Sequence, residues 1–245
     1  MSAKQYFDNH SHHFAYHKDP EVYTPIINYL KKTEHSDARK ILDFGCGDGL
    51  FLKCLIDNKI KGDFFGSDIS QGMINLAREK TQERNVDLFL ADGFKMPINP
   101  NAKFDVIHVD MILHHLIGET RSESIKLVHK MLTILMGMLS ERGILIIEEH
   151  LSTSYLIPSF GSFVAFYGLK LLNFLKIDMS RFVNEIQLGL EVNFFYEEQL
   201  RKILFKHGTP ERIRRETSTP TKFRKLFLVK EIGVMTFVVR RSNND

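Results

Sequence analysis

Three glycines at alternate positions, Gly45, Gly47 and Gly49, follow the run Ile41-Leu42-Asp43-Phe44, with Asp43 before the turn and Asp48 inside it. Residues without a Cβ let a ligand approach the backbone, so the pattern marks a place for a nucleotide-like molecule. A dinucleotide fingerprint runs G-x-G-x-x-G and delivers a pyrophosphate to a helix N-terminus. Here the third glycine comes one residue early and Asp43 and Asp48 repel an anion, so the expected ligand is cationic or neutral at this point. Further along stand Asp68, Asp92, Asp110 and Glu148, and the histidines His114, His115 and His150. Carboxylates accept hydrogen bonds from hydroxyls and amines, and an imidazole titrates near neutrality, so the set supplies binding groups and three candidate bases.

These residues need elements to position them. Ile41 to Phe44 reads as a buried parallel strand, and Leu50-Phe51-Leu52 with Leu55 and Ile56 as the apolar face of a helix. A second strand, Phe64-Phe65-Gly66-Ser67, ends at Asp68, and Met73 to Ala77 opens the next helix. Leu88 to Ala91 ends at Asp92, and Phe104 to Val109 ends at Asp110. A long helix runs from about Glu123 to Leu139, and Ile144 to Ile147 is a fifth strand closed by Glu148-Glu149-His150. A final helix, Phe195 to Leu204, and two strands around Arg212 to Thr217 and Val234 to Arg240 complete the chain. Strands alternating with helices specify a parallel sheet covered on both faces, and ligands of such sheets sit at the carboxyl ends of the strands. Nearly every strand ends there in an acid.

On the motif Ile41 to Gly49 the chain resembles the class I S-adenosylmethionine (SAM) dependent methyltransferases, whose first motif reads hhDhGCGxG, h being apolar. The resemblance covers Ile41 to His150 closely and Phe195 to Gly208 loosely. It implies an α/β, doubly wound, mostly parallel seven-stranded Rossmann-like sheet, with SAM as cofactor and S-adenosylhomocysteine as product. It also implies roles. Asp68, about twenty residues beyond the turn, would accept the ribose hydroxyls. Ile69 would pack on the adenine, Asp92 would accept from its exocyclic amine, and Gly93 or Phe94 would line the ring. Asp43 would orient the turn and, directly or through water, the ammonium. Gly45, Cys46 and Gly47 would pass the methionine portion, and Asp110 would face the ammonium or the acceptor. A base is needed only for a hydroxyl, amine or acidic carbon; His115 and His114 rank first and His150 next. In relatives beginning like Tyr6-Phe7-Asp8 the N-terminal arm closes over the cofactor. His10, His12 and His13 with Glu148, Glu149 and His150 show no metal-ligand spacing, so no metal is expected.

One domain is expected: residues 1–35 a helical arm over the cofactor, 36–150 the core, 151–193 a helical cap and 194–245 the closing helix and strands. The cap carries a stripe at helical spacing, Phe160, Phe163, Val164, Tyr167, Leu171, Phe174 and Leu175, followed by Ile177, Phe182, Val183, Ile186, Leu188 and Leu190. It reads as core or as a lid that sets acceptor choice. No Asn/Asp-Pro-Pro-aromatic tetrapeptide follows the fourth strand, where Asp110-Met111-Ile112-Leu113 stands, which disfavours planar base amines as acceptors. A small apolar acceptor is expected, a quinone precursor, isoprenoid or lipid, as in the ubiquinone and menaquinone group, from which the insertion after His150 departs.

Residues 201–245 hold twelve Lys or Arg against four acids, a net +8, which leaves −5 for the rest of a chain of net +3. That asymmetry admits RNA as an alternative substrate, and a non-catalytic SAM-binding protein is the alternative from another class. Leu151 to Leu169 lacks charge but is broken by Ser, Thr, Pro and Gly, so no span is expected there; Tyr155 to Ile177, with Lys170 and Lys176, is an alternative candidate for an amphipathic helix at a membrane interface. Cys46 and Cys54 and the polar N-terminus fit a reducing, cytoplasmic setting.

Overall fold

The computed structural model describes residues 8, 19–33, 39–81, 86–96, 102–177, 189, 191–221, 224–225 and 228–242. His10, His12, His13, Phe182, Val183, Ile186, Leu188 and Leu190 lie outside the described residues.

Seven strands form one sheet: β1 (Lys40–Phe44), β2 (Asp63–Asp68), β3 (Val86–Leu90), β4 (Phe104–Asp110), β5 (Leu139–Ser154), β6 (Thr209–Ser218) and β7 (Val229–Arg240). Their order is β3-β2-β1-β4-β5-β7-β6. All neighbours through β5 are parallel, and β7 alone runs against the rest. The order reverses between β1 and β4, which opens a crevice beyond their carboxyl ends.

The helices are α1 (Thr24–Lys32), α2 (Leu50–Asp57), α3 (Gln71–Lys80), α4 (Arg121–Met138), α5 (Phe160–Phe174) and α6 (Glu197–Phe205). Their apolar faces divide the core. Ile26, Ile27 and Leu30 of α1, Phe51, Leu52 and Leu55 of α2 and Ile74 and Ala77 of α3 pack on one face of the sheet. Val128, Met131, Leu132 and Leu135 of α4 and Leu200, Ile203 and Leu204 of α6 pack on the other. Local chemistry sets the starts: Thr120 and Glu123 make a reciprocal capping box for α4, and Ser70 Oγ accepts from Met73 N–H to cap α3.

Two expectations need correction. The fifth strand does not stop at His150; it runs to Ser154, because β7 pairs with it from Ile144 to Ser154 and the β-tolerant Leu-Ser-Thr-Ser stretch extends the ladder. The cap therefore begins later than residue 151. Its helix α5 buries Phe166 and Leu169 but leaves Phe160, Phe163, Tyr167, Leu171 and Phe174 exposed, so most of the apolar stripe is surface rather than core.

Candidate active site

A cavity of about 870 Å³ opens at the carboxyl ends of β1, β2 and β4. Gly45, Cys46, Gly47, Asp68, Ile69, Asp92, Gly93, Phe94, Asp110, His114, His115 and His150 all line it. Asp43 is absent from its wall. It lies behind, buried in β1, with Oδ1 2.8 Å from His108 Nδ1 on the neighbouring strand, which leaves only an indirect route from this acid to a ligand.

The turn after β1 is held to β2 by Gly45 and Cys46 N–H groups that both donate to Ser67 O, at 2.7 and 2.8 Å. Gly47 has φ of 52°, and a Cβ added there would meet nothing within 4 Å. Its role is thus conformational, in a backbone region that L side chains avoid, beside open cavity. Asp48 is neutralised: one oxygen accepts from Leu50 N–H at the start of α2 and the other pairs with Lys80. The anion-repelling charge at the turn is smaller than the sequence suggests.

Asp68 closes β2. Its Oδ2 accepts from Gly47 N–H at 3.0 Å and its Oδ1 from Ser70 N–H at 2.8 Å, so one carboxylate ties the turn to the head of α3. Burial raises it to about 6, against the two N–H donors that favour its ionised form. Each oxygen keeps lone pairs for further donors. Ser70 Oγ also donates to Asp8 at 2.7 Å, which puts this residue of the N-terminal arm beside the Asp68 end of the site. Asp92 stays exposed, its Oδ1 accepting from Phe94 N–H at 3.0 Å in a local turn.

The histidines stand on the loop after β4 and on β5. His114 follows β4 in a 3-10 turn, Leu113–His115, and is buried. Its Nδ1 is 2.8 Å from Glu149 Oε1, and its N–H donates to Glu149 Oε2 at 3.1 Å. Burial pushes Glu149 up to about 8 and His114 down to about 3, the directions expected when a low-dielectric site favours uncharged partners. His115 and His150 stack near it, with ring centroids 4.0 and 5.1 Å from that of His114. Burial holds His115 well below the usual imidazole range. The cap is stitched to this corner: Arg121 donates to Asn193 Oδ1 and Ser162 Oγ, both at 3.0 Å, and Asn193 N–H donates to His114 O. No described residue of α5 reaches the cavity wall, so the helix is not the lining lid that its stripe suggested.

Among the wall residues that were not foreseen, Tyr23 reaches a named acid of the site. Tyr23 lines the cavity and its hydroxyl donates to Asp110 Oδ2 at 2.8 Å. The signal was available: Tyr23, Ile26, Ile27 and Leu30 recur at i, i+3, i+4 and i+7 and together are the buried face of the N-terminal helical segment.

Residues 41–134 match the family model described as a methyltransferase domain. The chain is 37% identical over 89 residues to a malonyl-(acyl-carrier protein) O-methyltransferase of Legionella pneumophila, covering 36% of this chain and 30% of that protein. It is 31% identical over 106 residues to the enzyme of the same description from Priestia megaterium, covering 42% of this chain and 38% of that protein. The chain thus spans about a third of the length of these curated relatives. The solved magnesium protoporphyrin IX methyltransferase of Synechocystis PCC 6803, with bound S-adenosylhomocysteine (SAH), superposes with a TM-score of 0.59 over 98% of each chain at 18% identity, a likeness of fold.

Proposed function

We propose that this chain, whose residues 41–134 form a methyltransferase domain of the class I SAM-dependent kind, moves a methyl group from SAM to a small acceptor with an apolar body. The observation that carries the reading is Asp68: a strand-end carboxylate that fixes the glycine turn through Gly47 and still faces the cavity. Its lone pairs suit the two ribose hydroxyls of an adenosyl group, and the cavity volume suits a cofactor with a small partner. Ile69 and Phe94 give apolar contact for the adenine and Asp92 an acceptor for its amine, while Tyr23 and Asp110 close the methionine end.

Bound SAM supplies an electrophilic methyl on a sulfonium. The protein must then hold donor and acceptor in line, exclude water and take a proton where the acceptor carries one. His114 is placed to take it with Glu149 ionised beside it, because burial otherwise holds this imidazole down to about 3. With Nδ1 turned to Glu149, the nitrogen left for an acceptor is Nε2, and Glu149 acts as its positioning residue. His115 and His150 flank it. Leu116 and Ile117, which follow the histidines in the chain, add apolar wall to the cavity, which favours an acceptor that is easily desolvated. The curated relatives are named for methylating malonyl on an acyl-carrier protein, which supports methyl transfer to an oxygen of a small group.

A screen of extract metabolites with SAM, read by mass for the gain of one methylene unit, tests the reading. Products lost in His114→Ala support it. SAM bound without turnover on any acceptor would favour the non-catalytic alternative.

The exposed residues of α5, with Tyr155, Leu156 and Ile157 before it, favour a second reading in which this face meets the membrane that holds a lipid-like acceptor. No described helix is long and apolar enough to cross a membrane. Of the twelve Lys or Arg in residues 201–245, Arg212, Arg214, Arg215 and Arg240 are engaged by acids of this chain, which reduces what they offer to a phosphate backbone.

A further inference from the structure

On the face of the sheet that carries α1 to α3, His108 and Asp110 of β4 and Glu148 of β5 bring ligand-type atoms within 4.8 Å of one another. Asp110 and Glu148 are direct neighbours in the β4–β5 ladder, and His108 stands two residues before Asp110 on the same face. His108 and Glu148 are fully buried. Each of the three is held from behind. Asp43 takes His108 Nδ1 at 2.8 Å, and Tyr23 OH donates to Asp110 Oδ2 at 2.8 Å. Arg214 and the Thr236 hydroxyl donate to Glu148 Oε2 at 3.1 and 3.0 Å. A carboxylate on the far nitrogen of a histidine, with donors on the outer oxygens of two acids, is the outer shell that orients ligands around a metal ion.

His108 Nε2 has no hydrogen-bond partner among the described residues. With Nδ1–H given to Asp43, Nε2 presents a lone pair toward two carboxylates in a dry interior. A protonated Nε2 would face the same two carboxylates without making a hydrogen bond to either in this geometry. Either state is costly, and a cation at the point of convergence relieves both.

We propose that His108 Nε2, Asp110 and Glu148 bind one divalent first-row transition-metal ion of the Zn²⁺ or Mn²⁺ class. One imidazole and two carboxylates, without thiolate, suit such ions. Bonds of about 2.0–2.2 Å put donor atoms at most about 4.4 Å apart, a spacing close to the 4.8 Å within which the three lie. Asp110 and Tyr23 belong to the cavity wall, which gives the ion a way in. Binding displaces any proton from Nε2 and balances the charge of Asp43, Asp110 and Glu148, which Arg214 offsets only in part. The site shares Asp110 with the cofactor cavity but is read by metal retention without SAM or an acceptor, so either reading can fail alone.

The test uses the full chain, stripped with chelator, loaded separately with Zn²⁺, Mn²⁺ or Mg²⁺, desalted and assayed for metal and for unfolding temperature. The expected result is close to one equivalent of Zn²⁺ or Mn²⁺, a raised unfolding temperature with either, and no effect of Mg²⁺. His108→Gln and Glu148→Gln lose the ion. A control with His129→Gln and His207→Gln, which removes the imidazole pair at 2.8 Å near the surface, keeps it. In wild type, Mn²⁺ broadens backbone amide signals around residues 108–110 and 148, which decides the matter should the buried variants not fold. Absence of retained metal, equal retention in a folded His108→Gln, loss with the control, or broadening centred elsewhere would each overturn the proposal.

Discussion

Asp68, half-buried at the cavity wall, and Glu149, fully buried, are two acids with opposite tasks, and their surroundings separate them. Asp68 must be ionised to accept ribose hydroxyls. Burial raises it to about 6 in the free protein, and hydroxyl donors in the complex favour the charged form, so the bound value is lower. SAM affinity is therefore full above that value and falls as pH drops through it, approaching about tenfold per pH unit. Titration calorimetry across this range checks the sign, and Asp68→Asn removes the slope. A flat profile in wild type would contradict the ribose role. Glu149 instead holds Nδ1 of His114. Glu149→Gln is expected to lower kcat by about a hundredfold, the scale of a lost general base, with the KM for SAM little changed. Steady-state kinetics on an acceptor found by the mass screen reads this split, and a KM change with kcat intact would assign the pair to cofactor binding.

At the scale of elements, the strands and the acids that end them were legible because period-2 and period-3.6 patterns and the glycine turn are local signals. What was not legible depends on partners far away in sequence. The extension of β5 to Ser154 exists because β7 pairs with it, and Asp43 leaves the cavity wall because His108 on the next strand takes its carboxylate. Tyr23 reaches Asp110 only once α1 docks beneath the sheet edge. Periodicity located the stripe of α5 but says nothing of what covers it, and the helix leaves most of it exposed. Serine at Phe163, Leu171 and Phe174 together should therefore shift the unfolding temperature little, since each is a surface change of within about 0.5 kcal/mol. The same variant should float less with anionic vesicles. Collapse of the unfolding temperature would show these side chains to be core.

For the whole molecule, one sheet does two jobs. Its reversal between β1 and β4 makes the crevice, and the residues at that crevice divide into an acid-and-glycine side and a histidine side. Between them, on the α1 to α3 face, lies a buried polar seam from Asp43 through His108, Asp110 and Glu148 to Arg214. An interior of this kind is retained against its desolvation cost where it positions or binds something. The curated relatives are matched over only about a third of their own length. The most direct test of the central claim is calorimetric titration of SAM and SAH into the wild-type chain and into Asp68→Ala, with circular dichroism to check the fold. One site per chain at micromolar affinity, weakened by about tenfold or more in the variant through loss of charge-assisted bonds, is the predicted result. No binding at millimolar SAM, or equal affinity in a folded Asp68→Ala, would contradict it.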